Sequence, residues 1–360
     1  MSSIWGNKLK VSVFGESHGS EIGVVIDGFL PGYEIDMDYI NTQMSRRRPG
    51  NSSVSSNRKE EDRVEIVSGV LNGVTTGAPI CGIIHNEDAR SKDYETIKNT
   101  PRPGHSDFTA HMKYNGFNDY RGGGHFSGRL TAPVVFAGAL CMSILEKKYG
   151  ICIGSHIFCI HNAYDIALKN ESMRSALCKK LSKMDFPVLS ETKGNFMKEE
   201  IEKAKESLDS VGGVIETFVL KVPMGIGEPM FDSVESRLSH LLFSIPGVKG
   251  VEFGAGFNIA SMYGSEANDE YISNGKKIYT KTNNNGGIVG GLTNGMPIVF
   301  RTAIKPTPSI GKEQATVDLE TMENTKIKIV GRHDPCIVPR AIPAIEAATA
   351  IVVLDFLLNS

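Results

Sequence analysis

Short apolar runs rich in β-branched residues alternate with polar, glycine-bearing loops in the first part of the chain. Runs of this kind, bounded by turn residues, are typical of β-strands. The loop GESHGSE separates the first two runs, and the turn-rich sequence NGVTTG separates the next two. The predicted strands are Leu9 to Phe14, Ile22 to Ile26, Val64 to Val70 and Pro79 to His85.

Apolar residues at helical spacing predict three helices. Asp36 is placed to cap a helix that ends in the basic residues 46–48. After the glycines at 122–124, small and apolar residues continue to a stop at Gly150, and a last helix runs from about Ile342 to Leu358. Helices so poor in charge are typical of a protein core. Because adjacent strands are interspersed with helices without strict βαβ alternation, we expect the α+β class.

The order of these elements recurs weakly in the second part of the chain. VVIDGFLPG, Asp36, a helix and Pro49-Gly50 are matched in order by FVLKVPMGIGEP, Asp232, a helix and Pro246-Gly247. The spacings differ by several residues, so the halves are similar only in outline. This pattern favours two similar β–turn–α halves in one core. We therefore expect a single domain over residues 1–360 with an internal pseudo-repeat.

Composition excludes several classes of protein. The 360 residues carry 39 Lys and Arg against 41 Asp and Glu, and 40% are hydrophobic. This composition excludes a disordered chain and argues against nucleic-acid binding through bulk charge. Glycine stands out, because 38 of the 360 residues are glycine. This is about 11% of the chain, against a usual share of ~7%. Many backbone positions must therefore adopt positive φ or lie close to another group.

The six cysteines form no CxxC pair, and several lie within apolar runs. They are interpreted as buried free thiols of a reducing cytosol and not as a zinc site or a disulfide framework. No HxH or HExxH spacing indicates a metal. The N-terminus has no apolar signal segment, and no uncharged apolar run approaches the length of a membrane span. We expect a soluble, cytoplasmic protein without a bound metal.

Two of the nine histidines stand in loops of the kind in which function concentrates. His18 in GESHG and His105 in RPGHSD each lie in a polar, glycine-bearing loop, and histidine is the usual proton donor or acceptor near neutral pH. His333 in GRHDP also fits a turn held by Asp334. The histidines in strand-like or helical surroundings without companions are His85, His111, His156, His161 and His240.

Loops rich in glycine and arginine are the second candidate for chemistry. The glycines at 122–124, 286–287 and 290–291 offer bare backbone amides, which bind anions when they point the same way. None fits a P-loop or a dinucleotide fingerprint. RRRPG, YRGGGHFSGR and GRHDPCIVPRA add arginines, whose forked donors suit phosphate and carboxylate. Together these loops indicate a small, strongly anionic ligand.

Ten motifs, in order along nearly the whole chain, resemble the chorismate synthase family. They are GESHG (15–19), SRRRPG (45–50), VEIVSGVLNGVTTGAPI (64–80), RSKDY (90–94), RPGH (102–105), DYRGGG (119–124), the stretch 127–132, GGIVGG (286–291), KPTPSI (305–310) and GRHDPC with PRAIP (331–343). A single motif such as GGG is weak, but ten in register are highly specific.

The resemblance implies a β-α-β sandwich and a carbon-oxygen lyase. The implied reaction is the anti-1,4-elimination of phosphate from 5-enolpyruvylshikimate 3-phosphate to give chorismate, the last common step of the shikimate pathway to the aromatic amino acids. It also implies a requirement for reduced FMN without net oxidation, and a homotetramer that binds neither nucleic acid nor membrane.

The resemblance further implies roles for single residues. His18 would protonate the leaving phosphate, His105 would assist protonation of the flavin, and Asp334 would handle the flavin N5 proton. The implied contacts to substrate or NADP are Arg47, Ser53, Arg129 and Arg340. The implied flavin contacts are His125, Phe126, Ser127, Pro246, Gly247, Gly290, Lys305, Pro306, Thr307, Pro308, Ser309 and Arg332, the last of which would also clamp phosphate.

Three positions depart from the family pattern. His125-Phe126-Ser127 stands where many members have Arg-Ser-Ser, and Ser53 stands where many have an arginine associated with a nicotinamide dinucleotide. NADPH is therefore expected only as a flavin reductant. Two other classes are weighed: a flavin-dependent redox enzyme that consumes NADPH, which the missing arginine opposes, and a non-catalytic anion-binding protein, which the loop histidines oppose.

Overall fold

A computed structural model describes residues 3–48, 61–86, 98–329 and 334–359 of the protein. Within these ranges the strands are β1 (Ile4–Trp5), β2 (Lys10–Gly15), β3 (Glu21–Asp27), β4 (Val64–Ser68), β5 (Val70–Leu71), β6 (Val74–Thr75), β7 (Ile80–His85), β8 (Cys152–Ile160), β9 (Ala163–Tyr164), β10 (Gly213–Leu220), β11 (Val248–Phe253), β12 (Tyr271–Ser273), β13 (Ile278–Thr280), β14 (Ile288–Val289), β15 (Leu292–Thr293), β16 (Ile298–Ile304), β17 (Glu313–Val317) and β18 (Asn324–Lys328). The helices are α1 (Met37–Arg47), α2 (Asp107–Lys113), α3 (Thr131–Tyr149), α4 (Ser175–Leu181), α5 (Glu191–Glu206), α6 (Val234–Leu242), α7 (Gly264–Ala267) and α8 (Val338–Asn359).

Two five-stranded sheets, as far as the described residues show them, enclose a layer of helices. The first sheet has the order β1-β2-β3-β7-β4 and the second has the order β11-β16-β10-β8-β9, with antiparallel neighbours throughout. Helix α3 packs on β3 and β7, and α8 packs on β8 and β10. The expected α+β class and β-α-β sandwich are therefore confirmed.

The middle layer is built from two nearly uncharged helices because both of its faces are covered by sheet. Helices α3 and α8 cross closely: a Cβ on Gly138 would lie 2.2 Å from the Cβ of Ala347. Two helical segments, Gly128–Tyr149 and Val338–Asn359, are long and apolar enough to cross a membrane, but 78% of each apolar window is buried inside the fold. Both therefore have the position of core helices.

The predicted internal repeat is visible in the topology. The series β2, β3, α1, β4, β7, α3 is followed by β8, β10, α6, β11, β16, α8, and the four strands of each series take the same order in their sheet. The matched aspartates are not equivalent as caps. Asp36 caps α1 by accepting from the Tyr39 amide, whereas Ser233, and not Asp232, caps α6.

Small hairpins make the repeat much closer than the sequence analysis recognised. The segment GVTTGAPI (73–80) contains the second strand of the hairpin β5–β6, and GLTNGMPI (291–298) contains the second strand of the hairpin β14–β15. The strands of the two hairpins pair in the same register. The Thr75 hydroxyl accepts from the Tyr33 amide over 2.9 Å and donates to the Leu30 carbonyl over 2.7 Å. Thr293 makes the same pair of bonds, over 2.9 and 2.6 Å, in the second half.

Two expectations need correction. The last helix begins at Val338, before the expected Ile342, and includes Pro343 in its interior. The six cysteines are free thiols, but only four are buried, because Cys81 and Cys152 are partly exposed.

Candidate active site

Two arginines share one buried aspartate at the C-terminal end of α1. Arg47 donates from Nε to Asp62 Oδ2 over 3.1 Å and also from Nη2, while Arg129 donates from Nη1 to Asp62 Oδ1. Burial would raise the pKa of Asp62, but the guanidinium charges of Arg47 and Arg129 lower it. Burial, together with the like charges of Arg340 and Arg129, lowers the pKa of Arg47. An additional anion would relieve this concentration of positive charge.

Arg340, in the first turn of α8, extends the cluster. Its Nε donates to the Arg47 carbonyl over 3.1 Å, and its Nη1 donates to Asp334 Oδ2. Among the described residues, the cluster thus holds three guanidiniums and the carboxylates of Asp62 and Asp334. The C-terminal end of α1 and the N-terminal end of α8 place these charges together, although Arg47 and Arg340 are far apart in sequence.

His18 lies on a backbone surface made by glycines. The φ of Gly122 is 59°, and a Cβ there would lie 2.2 Å from His18 Cε1. Ser17 Oγ lies 3.0 Å from His18 Nδ1 and donates its proton to the Arg121 carbonyl. Because Ser17 has only one proton, it accepts from Nδ1–H of His18, and Nε2 is then the ring atom that exchanges a proton with a ligand.

Asn86 joins the His18 loop to the arginine cluster. Its Nδ2 donates to the carbonyls of Glu16 and Gly19 over 3.1 and 2.9 Å, and its Oδ1 accepts from Arg129 Nε over 3.0 Å. The GESHG loop and Arg129 are therefore held in one network. The structure thus brings together His18, Arg47, Arg129, Arg340 and Asp334.

The segment 125–127 follows the glycines and is fixed at both ends. His125 Nδ1 lies 2.8 Å from the Gly15 carbonyl and its Nε2 lies 3.1 Å from Ser3 Oγ. Ser127 caps the next turn by accepting from the Arg129 amide over 3.3 Å. Phe126 is 42% exposed. The imidazole that replaces the family arginine is thus held against β2.

His105 belongs to a second polar group. Its Nε2 lies 2.9 Å from Ser309 Oγ, and its Nδ1 lies 3.2 Å from the Pro103 carbonyl. A carbonyl only accepts, so Nδ1 carries the proton and Nε2 accepts from the Ser309 hydroxyl. Burial, followed by the charge of Arg102, lowers the pKa of His105 to about 4. The ring is therefore neutral at pH 7.

The KPTPS segment continues this second group. Lys305 donates to the Gly104 carbonyl over 2.6 Å, and its amide donates to the Gly247 carbonyl over 2.9 Å. Thr307 Oγ1 is buried, and no described residue bonds to it. These contacts bring His105 together with Lys305, Ser309 and Gly247.

The chain before α8 connects the two groups. A Cβ on Gly247 would lie 3.3 Å from Ile337 Cδ1, and the Pro335 carbonyl accepts from the Val211 amide over 2.9 Å. The segment between Asp334 and Arg340 therefore contacts Gly247 through Ile337.

Two expected site residues have no described position, and a third, Gly290, lies apart from these groups. Ser53 and Arg332 lie outside the described residues. Gly290 lies in the β14–β15 hairpin beside the N-terminal end of α6, where the Gly291 carbonyl accepts from the Val234 amide. Gly247 follows the other end of this nine-residue helix, which spans about 13 Å. The role of Gly290 stays a prediction.

The sequence analysis missed Asp62, Asn86 and Ser17. Asp62 has a positive φ of 46°, which is unusual for a residue with a side chain, but its sequence neighbours EEDR read as an ordinary charged run. Asn86 stands directly after a predicted strand, and that position is the one signal that could have identified it.

A β-α-β sandwich with clustered arginines beside a loop histidine defines an enzyme that handles a small anion. The family model described as chorismate synthase matches residues 9–358. The chain is 46% identical to a chorismate synthase of Methanocaldococcus jannaschii, with 100% of this chain and 97% of that protein covered. It is 45% identical to one of Korarchaeum cryptofilum, with 99% and 98% covered. A crystal structure of chorismate synthase has a TM-score of 0.74 at 30% identity and covers 99% of this chain and 93% of that one.

The chain therefore belongs to the chorismate synthase family, as the sequence motifs predicted. It is a lyase of the shikimate pathway that acts on a small molecule.

Proposed function

We propose that the protein eliminates phosphate from 5-enolpyruvylshikimate 3-phosphate in an anti-1,4 sense to give chorismate, with reduced FMN bound beside the substrate. The observation that carries this proposal is the cluster of Arg47, Arg129 and Arg340, which shares one network with the His18 loop. A substrate with one phosphate and two carboxylates matches such a cluster, because guanidinium binds both groups through paired hydrogen bonds.

The arginines and His18 would act on the leaving group. Negative charge develops on the phosphate as its bond to carbon breaks, and fixed guanidiniums stabilise that charge in a site from which water is excluded. His18 Nε2 would supply the proton, since its Nδ1 is held by Ser17. Asn86 would keep His18 and Arg129 at a constant separation.

The residues present fit a flavin. The buried Thr307 hydroxyl has no partner among the described residues, so it is available to bond a flavin. We propose that FMN is held by His125, Phe126, Ser127, Pro246, Gly247, Lys305, Pro306, Thr307, Pro308, Ser309 and Arg332, with Gly290 proposed from the resemblance alone. When bound there, reduced FMN would supply an electron-rich ring to the reaction.

His105 and Asp334 would take part in proton transfer near the flavin. His105 is neutral, and its Nε2 already accepts a hydrogen bond from Ser309, so this atom can take up a proton when an anionic ligand raises its pKa. Asp334 would handle the flavin N5 proton from its place beside Arg340.

Further proposals concern the whole protein. We propose that the protein is a cytoplasmic homotetramer and that each subunit is a single domain. We also propose that NADPH acts only as a flavin reductant, because Ser53 replaces the arginine that many family members have at this position. The free thiols support a reducing compartment. A core cluster that includes residues of both halves supports the single domain.

One anaerobic assay tests the reaction. Protein, photoreduced FMN and the phosphorylated substrate are mixed, and phosphate, chorismate and flavin oxidation are followed together. Phosphate and chorismate in equal amounts without stoichiometric flavin oxidation are the expected result. Stoichiometric flavin oxidation would favour a redox enzyme, and a folded protein without product would exclude the lyase reaction.

A further inference from the structure

Two cysteine thiols meet at a place remote in sequence from every proposed site residue. Cys152 begins β8, and Cys178 lies on α4, which packs on that strand. The Cys178 thiol donates to Cys152 Sγ, and the two sulfur atoms are 3.1 Å apart. A disulfide bond measures about 2 Å, so a movement of about 1 Å would close the pair.

The two thiols have different surroundings. Cys152 is partly exposed, Ser175 Oγ lies 3.4 Å from its sulfur, and the charge of Lys221 acts on it. The hydrogen bond from Cys178, followed by that of Ser175, lowers the pKa of Cys152 to about 6. The same contact with Cys152, followed by burial, raises the pKa of Cys178. Cys152 is therefore the nucleophile that reacts first, and Cys178 is the thiol that reacts second.

A cavity gives small molecules access to the pair. It has a volume of about 530 Å³, lies between α1, α4 and the start of α8, and is lined by both cysteines. Lys179 and Lys183 also line it. The four other cysteines do not line this cavity.

We propose that Cys152 and Cys178 form a redox-active dithiol that hydrogen peroxide converts to a disulfide. The Cys152 thiolate attacks one peroxide oxygen, the O–O bond breaks, and Cys152 sulfenic acid and hydroxide form. The sulfur of Cys178 then attacks the sulfenic sulfur, the S–S bond forms, and hydroxide leaves and takes up the thiol proton as water. Two thiols are oxidised and one peroxide is reduced to two water molecules.

The test treats the folded, full-length protein with hydrogen peroxide at pH 7, blocks the remaining thiols and digests without reduction. Wild type is expected to yield a peptide that joins Cys152 to Cys178, lighter by two hydrogen atoms. Cys178→Ser is expected to stop at a sulfenic acid on Cys152, which dimedone traps. Cys152→Ser is expected to give neither product. Absence of the joined peptide from folded wild type would overturn the proposal, as would a Cys178→Ser variant without trapped sulfenic acid.

Cys81 is the matched control, because it is also partly exposed but stands alone and burial raises its pKa. Iodoacetamide should modify Cys152 at least about tenfold faster than Cys81 at pH 7, and equal rates would contradict the assignment. Phenylarsine oxide, which bridges two thiols, should bind wild type and Cys81→Ser but neither single variant of the pair. This second readout still tests the proposal if one variant fails to fold, and failure of wild type to bind would count against it.

Discussion

Gly122 leaves space for the His18 ring, and this gives a test of His18 that leaves the imidazole in place. A Cβ at 122 would lie 2.2 Å from His18 Cε1, whereas a Cβ at Gly123 would meet no atom of the described residues within 4 Å. Both glycines have positive φ, so alanine strains the backbone at either position. We predict that Gly122→Ala displaces His18 and lowers kcat on the order of 10²-fold, the scale of a lost general acid.

Gly123→Ala is the control, because it carries the same type of backbone strain without the clash. Turnover with photoreduced FMN should fall as far in Gly122→Ala as in His18→Ala, while FMN binding is retained in both. Equal losses in the two glycine variants would show that backbone strain, and not His18, explains the effect.

Asp62 is the residue on which the two buried arginines depend. Its side chain is fully buried between Arg47 and Arg129. Asp62→Asn would remove the charge of the buried carboxylate to which both guanidiniums bond, so we predict a loss of about 3 kcal/mol in the free energy of unfolding. Urea unfolding at pH 7 measures it. Asp36→Asn, which removes an exposed pair with Lys147 but keeps a good cap, should cost far less.

The same aspartate gives a pH dependence with a definite sign. Because its folded pKa is lowered, its contribution is complete above its unfolded pKa of about 3.9 and is lost as pH falls through the folded value. The difference in unfolding free energy between wild type and Asp62→Asn should therefore shrink only at acidic pH. A difference that shrinks between pH 8 and 6 would contradict the ion-pair assignment.

At the scale of elements, the twin hairpins predict equivalent substitutions. Thr75 and Thr293 are buried, and each hydroxyl satisfies one amide and one carbonyl of the preceding loop. Valine at either position keeps the shape but leaves both backbone groups unpaired, so we predict a loss of about 2 kcal/mol in unfolding free energy for each variant. Thr325→Val, on the exposed strand β18, is the control. Clearly unequal losses would show that the two hairpins are not energetically equivalent.

The second sheet contains a buried histidine whose charge holds two elements together. His156 on β8 lies 3.1 Å from Asp165 Oδ2 and 3.0 Å from Glu216 Oε2 on β10, and Glu216 also accepts from Arg301. Burial lowers the pKa of His156, but the bonds to Asp165 and Glu216 outweigh it and raise the pKa. Its contribution is thus complete below the ordinary pKa of about 6.5 and is lost as pH rises through the folded value.

We therefore predict that His156→Gln costs on the order of 3 kcal/mol at pH 6 and that the difference from wild type narrows as pH rises. Unfolding in urea from pH 6 to 9 measures it. His161→Gln, which removes an exposed pair with Glu200, should cost far less at pH 6. A difference that grows with pH would mean that His156 is neutral in the fold.

At the scale of the whole molecule, the middle layer makes the two halves depend on each other. Helix α3 belongs to the first half and α8 to the second, and each is apolar around most of its circumference because the other covers it. We predict that residues 1–150 and 151–360, expressed separately, lack a cooperative thermal transition, and that coexpression restores a folded complex. A half that melts cooperatively by itself would contradict the single domain.

The sequence pointed to candidate site residues but not to how they are joined. Loop position selected His18 and His105, and glycine and arginine patterns indicated an anionic ligand, because these signals are local. Asp62 and Asn86 were missed because their roles arise from contacts with Arg129, Arg47 and the His18 loop, which are distant in sequence. A charged residue in a polar run gives no sign that folding will bury it.

The sequence by itself determined the element order, the α+β class, the buried character of α3 and α8, and the family, because periodicity and motif spacing are properties of the chain. Only the tertiary structure decided that Arg47 and Arg340 flank one cluster, that Gly122 makes room for His18, that Gly290 lies at the far end of α6 from Gly247, and that Cys152 meets Cys178. These pairings depend on how sheets and helices pack, and residues with no common local pattern become neighbours only when that packing forms.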